Sequence, residues 1–277
     1  MPAPLDPRHT SENHGELDGL PVYWRAAPSP PGEAVPLYLH GVPTNSDDWL
    51  GMLERTGGIA PDLPGFGRSG KSGSRAYTMA EYDRFIEGFL DMLGIERVRL
   101  LVHDWGGVGL LFAQRLPERI ERVAVVNAVP LLPGYRWHRT ARIWRTRLLG
   151  ELSMGTIGPV TLRLLSRESN VTPGPMPKDW QRSVLEHFDQ GTQRAILRLY
   201  RSSPPEALAA AGARLGTLDV PALVAWGLRD PYIPARFGRA YAEALPRAEL
   251  FELDDAGHWP WLDRPDLLDR LAAFMSG

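Results

Sequence analysis

Cysteine is absent from this 277-residue chain. That excludes a disulfide framework and any thiolate-based metal or nucleophile site. No run approaches the roughly 18 consecutive apolar residues of a membrane span, so stable membrane insertion is not expected. The opening segment, MPAPLDPRHTSENHGE, has no basic stretch leading into an apolar one and does not read as a secretory signal. An excess of one charge is also missing. Thirty-one basic residues face 33 acidic ones, a net charge of −2, and nothing global points to nucleic acid or another polyanion as partner. A cytoplasmic, soluble protein is the expectation. No internal repeat is visible.

What is present is ordinary globular composition, 43% hydrophobic, in a chain long enough for a large core. LPVYWRAA, VPLYLH and GGIAPDLPG read as early strands. From Thr78 the period changes. Tyr82, Phe85, Ile86, Phe89, Leu90 and Leu93 follow helical spacing, Thr78 and Glu81 form a capping-box pattern, and Gly94 ends the helix. VRLLVH and RVAVVNAV are near-continuous apolar runs, as expected of strands covered on both faces. PALVAWG and AELFELD add two more strands around a helical PARFGRAYAEAL, and PDLLDRLAAFM closes the chain as an amphipathic helix. Alternation at this spacing predicts an α/β fold with a mostly parallel central sheet flanked by helices. Between residues 131 and 212 only helical patterns appear, which reads as a helical lid inserted into a core made of 16–130 and 213–277. Residues 1–15, polar and Pro-rich, read as a flexible N-terminus.

In open α/β sheets, functional groups gather beyond the carboxyl ends of the strands. The run Val102-His103-Asp104-Trp105-Gly106 sits at such an end. It fills the slots of a nucleophile elbow, with aspartate where serine is usual. The turn is tight, and Gly106 and Gly107 supply the small residues it needs. A carboxylate there is already ionised at neutral pH. It can attack an electrophilic carbon without a base and form an ester, whose hydrolysis then does need one. His258, in DDAGHWPW, follows the last strand. Asp230, in WGLRDPYIP, follows the strand before it. The order Asp104, Asp230, His258 is nucleophile, acid, base, with Asp230 orienting His258 and His258 activating water. LHGVPTN follows an early strand. Gly41 allows close backbone approach, and the N–H groups of Val42 and Trp105 are candidates for an oxyanion site. His40, Pro43 and His103 are expected to shape this loop and the elbow rather than to react.

The segments HGVPTNSDDW, DLPGFGRSG, HDWGG, GLRDP and AGHWPW occur in that order and span nearly the whole chain. Together they resemble α/β-hydrolases of the aspartate-nucleophile branch, which holds epoxide hydrolases and haloalkane dehalogenases. The resemblance implies the α/β-hydrolase fold and a small apolar electrophilic substrate consumed with water, without cofactor or metal, by a monomer or homodimer. The leaving group separates the two activities. Epoxide hydrolases of this kind hold the departing alkoxide with lid tyrosines. Tyr200, in LRLYRSSPPE, resembles one. The other expected position, near GELSMGT, has none, and Tyr135 is the substitute. Dehalogenases bind halide through indole or amide N–H groups. Trp105 is one such donor and Trp137, Trp144 and Trp180 are lid candidates, while the asparagine many of them carry after HG is Val42 here. HGxPT leans toward dehalogenases. Epoxide opening is the preferred reading, halide release the alternative, and a non-catalytic ligand-binding homologue the third.

Two further patterns need a test. GFGRSGKS (65–72) matches the phosphate-loop expression letter for letter. A phosphate loop runs straight into a helix whose N-terminus faces the anion. Here GSRAYT intervenes, so the match reads as a turn. In YRWHRTARIWRTR (135–147), Trp137, Ala141, Trp144 and Leu148 can share one helical face opposite arginines. That fits a lid helix over a pocket, the preferred reading, and also a helix at a membrane surface.

Overall fold

The computed structural model describes residues 10–30, 32–169, 171 and 176–277. Among these, eight strands form one sheet: β1 (Ser11–Leu17), β2 (Leu20–Ala27), β3 (Val35–Leu39), β4 (Gly58–Pro61), β5 (Val98–Asp104), β6 (Ile120–Ala128), β7 (Ala222–Gly227) and β8 (Ala248–Leu253). Their spatial order is β1-β2-β4-β3-β5-β6-β7-β8. β2 pairs antiparallel with both β1 and β4, and all other neighbours are parallel. The helices outside the β6–β7 connection are α1 (Leu50–Thr56), α2 (Met79–Met92), α3 (Gly109–Arg115), α10 (Arg236–Ala244), α11 (Pro260–Asp263) and α12 (Leu267–Ser276). Within it run α4 (Arg139–Arg145), α5 (Leu149–Gly155), α6 (Pro159–Ser169), α7 (Lys178–His187), α8 (Gln190–Ser202) and α9 (Pro205–Ala211).

Successive side chains of a strand point to opposite faces. In β5, Leu100 and Val102 pack with α2, α3 and α10, whereas Leu101 packs with α1 and α12. Both faces are therefore covered, and every residue of β5 is buried. That is why its sequence is apolar throughout rather than alternating. α2 begins as its cap pattern predicts. The Thr78 hydroxyl accepts from Glu81 N–H at 3.3 Å, and the Glu81 carboxylate accepts from Tyr77 N–H at 2.6 Å.

The expected flexible segment 1–15 is corrected from Ser11 onward; residues 1–9 lie outside the described residues. Ser11–Leu17 pairs with β2 along its whole length. The segment is polar because it is the solvent-facing edge of the sheet, where charge on an outer strand discourages further pairing. The intervening Asp18 and Gly19 both have positive φ, 51° and 70°, as a two-residue hairpin turn requires.

The phosphate-loop match is a turn. Lys71 donates to the Asp189 carboxylate (2.8 Å) and to the His187 carbonyl (2.9 Å), and the next helix starts only at Met79. Between β6 and β7, α9 seats the end of the helical connection on the core: the Gln114 side chain on α3 donates to Ala211 O at 2.9 Å. α7 is tied to the loop after β3, where Asn45 donates to the Ser183 hydroxyl (2.9 Å) and that hydroxyl donates to Asp47 (2.6 Å). No helix among the described residues is long and apolar enough to cross a membrane.

Candidate active site

β5 delivers Asp104 at its carboxyl end with φ 47° and ψ −122°, a conformation few non-glycine residues adopt. Such strain persists only where surroundings enforce it. Here the chain folds back against β3 so closely that a Cβ at Gly106 would lie 2.2 Å from Leu39 O. Across from it, a Cβ at Gly41 would lie 2.4 Å from Asp104 Cβ. Glycine at both positions lets the elbow and the loop after β3 touch.

That contact sets the electrostatics. Asp104 Oδ2 accepts from Val42 N–H at 2.8 Å, and the neighbouring Trp105 N–H also favours the charged carboxylate. One expected oxyanion donor, Val42 N–H, therefore holds one oxygen of the carboxylate, and the other, Trp105 N–H, acts on the same carboxyl group. The other oxygen, Oδ1, lies 3.8 Å from His258 Nε2, too far for a hydrogen bond. His258 Nδ1 is 2.7 Å from Asp230 Oδ2, which fixes Nε2 as the side carrying the free lone pair. Asp230 is itself held by Tyr232 N–H (2.7 Å), Ile233 N–H (3.0 Å) and the Asn127 amide (2.8 Å). All three candidate residues are buried.

Burial pushes the Asp104 carboxyl up, opposed by His258 and by the two backbone donors. Burial disfavours the charged form of His258, but the fields of Asp230 and Asp104 outweigh it and hold the imidazole above its ordinary value. His40 and His103 behave differently. Burial lowers both, so they stay neutral. His40 accepts Leu63 N–H (2.9 Å) and its other ring nitrogen meets Gly41 O (2.8 Å), which pins the loop. His103 Nε2 donates to His258 O (2.8 Å) and positions the backbone of the base.

Above Asp104 lies a cavity of about 80 Å³, walled by core residues such as Pro43 and Trp259 and by side chains from the β6–β7 connection. At roughly one water-sized sphere per 10–15 Å³, it holds on the order of six non-hydrogen atoms. Tyr135 and Tyr200 both line it. Burial and the Asp104 charge raise both phenols, so each keeps its proton. The Tyr135 hydroxyl makes only a long bond, 3.4 Å, to Tyr232 O. Tyr200 packs edge-on against Trp105, ring centres 5.1 Å apart, and the Trp105 indole N–H, directed toward the Tyr200 hydroxyl, closes no hydrogen bond of normal geometry.

Of the lid tryptophans named as halide donors, Trp137 is corrected: its indole N–H is engaged by Ser203 O at 3.0 Å. Trp180 lines the cavity but its indole is directed at Asp48. Trp144 lines the cavity with an unpartnered N–H.

Four residues lay outside the sequence reading or were undervalued in it. Asn127, at the end of β6 with φ 38°, bridges Gly227 N–H (2.8 Å) and Asp230. A polar residue closing the apolar run RVAVVN was its signal. Asp62, in the segment GGIAPDLPG, is fully buried and accepts Ser46 N–H and Arg68 N–H, each at 2.7 Å, so it orders the loop after β3. His138, on the cavity wall, is lowered to about 4 by burial. Asp48 is raised to about 7 by burial beside the Trp180 and Trp259 indoles, and its charge reaches His258.

Among the described residues, no cluster of histidine, aspartate and glutamate has the makings of a metal site. A family model described as the alpha/beta hydrolase family matches residues 37–271. A 2-hydroxy-6-oxo-6-phenylhexa-2,4-dienoate hydrolase of Burkholderia cepacia is 27% identical over 258 residues, covering 87% of this chain and 86% of that protein. A cis-3-alkyl-4-alkyloxetan-2-one decarboxylase of Shewanella oneidensis is 29% identical, covering 79% and 73%. The crystal structure of haloalkane dehalogenase DbeA from Bradyrhizobium elkani superposes with a TM-score of 0.84 at 25% identity, over 97% of this chain and 98% of that one.

Proposed function

Since the chain belongs to the alpha/beta hydrolase family, we propose that it is a member of the aspartate-nucleophile branch and opens a small epoxide to a diol through an alkyl ester on Asp104. The observation that carries the reading is the 3.8 Å gap between His258 Nε2 and Asp104 Oδ1. A base that activates a serine sits in hydrogen-bond contact with it. A gap of this size instead leaves the base free to hold a water beside the carboxylate.

In the first step Oδ1 attacks an epoxide carbon, the carbon–oxygen bond breaks, and Tyr200, assisted by Tyr135, gives the departing oxygen a proton. Forming the ester removes the Asp104 charge that helps keep His258 protonated, so the imidazole becomes a free base when it is needed. In the second step His258 Nε2 takes a proton from water and the hydroxide adds to the ester carbon. Negative charge develops on Oδ2, already seated on the N–H of Val42, with the N–H of Trp105 as the second donor. Such preorganised donors contribute about 3–4 kcal/mol each to hydrolysis of this type. The ester carbon–oxygen bond then breaks, the leaving alkoxide collects the proton from His258, and the regenerated carboxyl returns its proton to the phenolate.

A second reading, halide release from a haloalkane, has one observation of its own, the unpartnered indole N–H of Trp144 on the cavity wall. The two readings share the ester and differ in the leaving group. His258→Gln halts the cycle after the first step, and mass spectrometry of this variant with a panel of small epoxides and haloalkanes is the test. A peptide bearing Asp104 that gains the mass of the whole epoxide supports the first reading. A gain of the alkyl group with free halide supports the second. No adduct with any of them overturns the covalent mechanism.

A further inference from the structure

Large hydrophobic side chains that remain exposed are concentrated in one part of the molecule. Ile143, Leu148, Leu149, Leu152, Val160 and Leu164 all lie in or between α4, α5 and α6, with Leu148 76%, Leu152 68% and Val160 74% exposed. Elsewhere among the described residues only Met92 is comparable. These helices are already amphipathic toward the cavity. Thr140 and Trp144 of α4, and Leu162, Ser166 and Ser169 of α6, line it. A surface helix that buries one face carries polar residues on the other. α6 instead presents Val160 and Leu164 outward, and the α4–α5 corner presents a run of leucines. Contiguous exposed apolar residues on a folded protein mark a contact surface.

The charge around them has one sign. Residues 136–168 carry seven arginines and two glutamates, in a chain whose total is −2. Arg136, Arg139, Arg142, Arg147, Arg163 and Arg167 are exposed, and none makes an ion pair among the described residues. Arginines on the core are more often paired, as Arg99 is with Glu33 and Glu121. Beside Leu148 runs a surface groove of about 780 Å³ walled by Arg75, Arg147, Arg198 and Arg201. Arg201 is neutralised by Glu151 at 2.7 Å, and Arg198 is turned to the carbonyls of Gly73 and Arg75. Arg75 and Arg147 are left to face solvent.

Unpaired guanidinium groups interleaved along the chain with exposed leucines match one partner chemistry: an interface that is apolar inside and anionic at its surface. We infer that α4–α6 form a docking face for anionic phospholipid, with Leu148, Leu149 and Leu152 reaching the acyl boundary and the exposed arginines, with Arg75 and Arg147 of the groove, taking phosphate headgroups. α4 and α6 of this face also wall the cavity, so docking brings the site close to the phase in which an apolar substrate is most concentrated. The inference does not depend on which bond is cleaved.

The test is co-sedimentation of the full chain with phosphatidylcholine vesicles, with and without phosphatidylglycerol. Binding to the anionic vesicles is expected to exceed binding to the neutral ones by about tenfold or more at low salt and to fall steeply as salt rises. The double variant Leu148→Asp/Leu152→Asp and, separately, Arg139→Glu/Arg142→Glu should each lose about tenfold or more while keeping the wild-type melting temperature. If the leucine variant fails to fold, the arginine variant, confined to exposed positions, carries the test. Equal binding to both vesicle types, no binding to either, or binding that survives both variants overturns the inference. So does a dimer in light scattering that Leu148→Asp/Leu152→Asp dissociates while vesicle binding is absent. That result makes the face a contact between two copies of this chain.

Discussion

The two halves of the site are built on opposite terms. On the sheet side, Asp104, Asp230, His258, His40 and Asn127 are each held by hydrogen bonds to backbone or to one another, and steric contacts at Gly41 and Gly106 leave the elbow no freedom. On the lid side, the cavity wall is rich in aromatic and aliphatic side chains, and several polar groups have weak partners or none: the Tyr135 hydroxyl at 3.4 Å, the indole N–H of Trp144, a His138 kept neutral by burial. Groups that must keep one geometry through a reaction are tied down from several directions, since a fully satisfied buried network rigidifies. Groups that must adapt to a ligand are left for the ligand to satisfy. The sheet sets the chemistry and the lid sets what may undergo it.

Substitutions on either side should therefore fail in different ways. The largest expected effect is on the sheet side. Asp104→Asn removes the nucleophile, and steady-state turnover should fall on the order of 10⁶-fold with substrate binding retained, as for loss of other covalent nucleophiles. Retained turnover would dissolve the distinction between the halves. Asp230→Asn should lower kcat about 10⁴-fold. It should also move the acid limb of the pH–rate profile. His258 must be neutral to act and is raised chiefly against burial by Asp230, so activity is lost as pH falls through that raised value. Without the Asp230 charge the limb shifts to lower pH. A profile of unchanged midpoint would contradict this. On the lid side, Tyr200→Phe should slow epoxide opening about 10²-fold or more, the scale of a general acid, and spare halide release. Comparing initial rates of diol and halide formation decides it. The smallest effect is at the seam. Ser183→Ala removes the hydroxyl joining α7 to Asn45 and Asp47, costing about 1 kcal/mol. The melting temperature should drop by about 3 °C with kcat nearly unchanged. A fall in kcat comparable to that of Asp230→Asn would mean that the lid, too, sets the chemistry.

Legibility from the sequence divides along the same line. Asp104 is readable because it ends a strand whose apolar run is uniform, and Asp230 and His258 because each follows the end of a later strand. Strand ends converge at one edge of a parallel sheet. The loop donors follow from Gly41 and from the elbow pattern. Asn127 and Asp62 were passed over because a buried polar side chain with full hydrogen bonding looks, in one dimension, like a turn residue. β1 was read as a tail because an edge strand alternates poorly and carries charge, although the Asp18-Gly19 pair marked its hairpin. The lid is the least legible. Its tryptophans are alike in sequence, and only the fold separates Trp137, engaged by Ser203, from Trp144, which has no partner. Which face of α6 meets a cavity depends on a neighbour far away in the chain.

The seat that the Val42 N–H offers is occupied in the resting protein by the Asp104 carboxylate. On the proposed mechanism a visiting ester or amide finds that donor taken, and it becomes useful only after the protein has alkylated itself. Reagents that transfer an alkyl group are then expected to act as substrates or suicide inhibitors, and acylating agents to find little to grip.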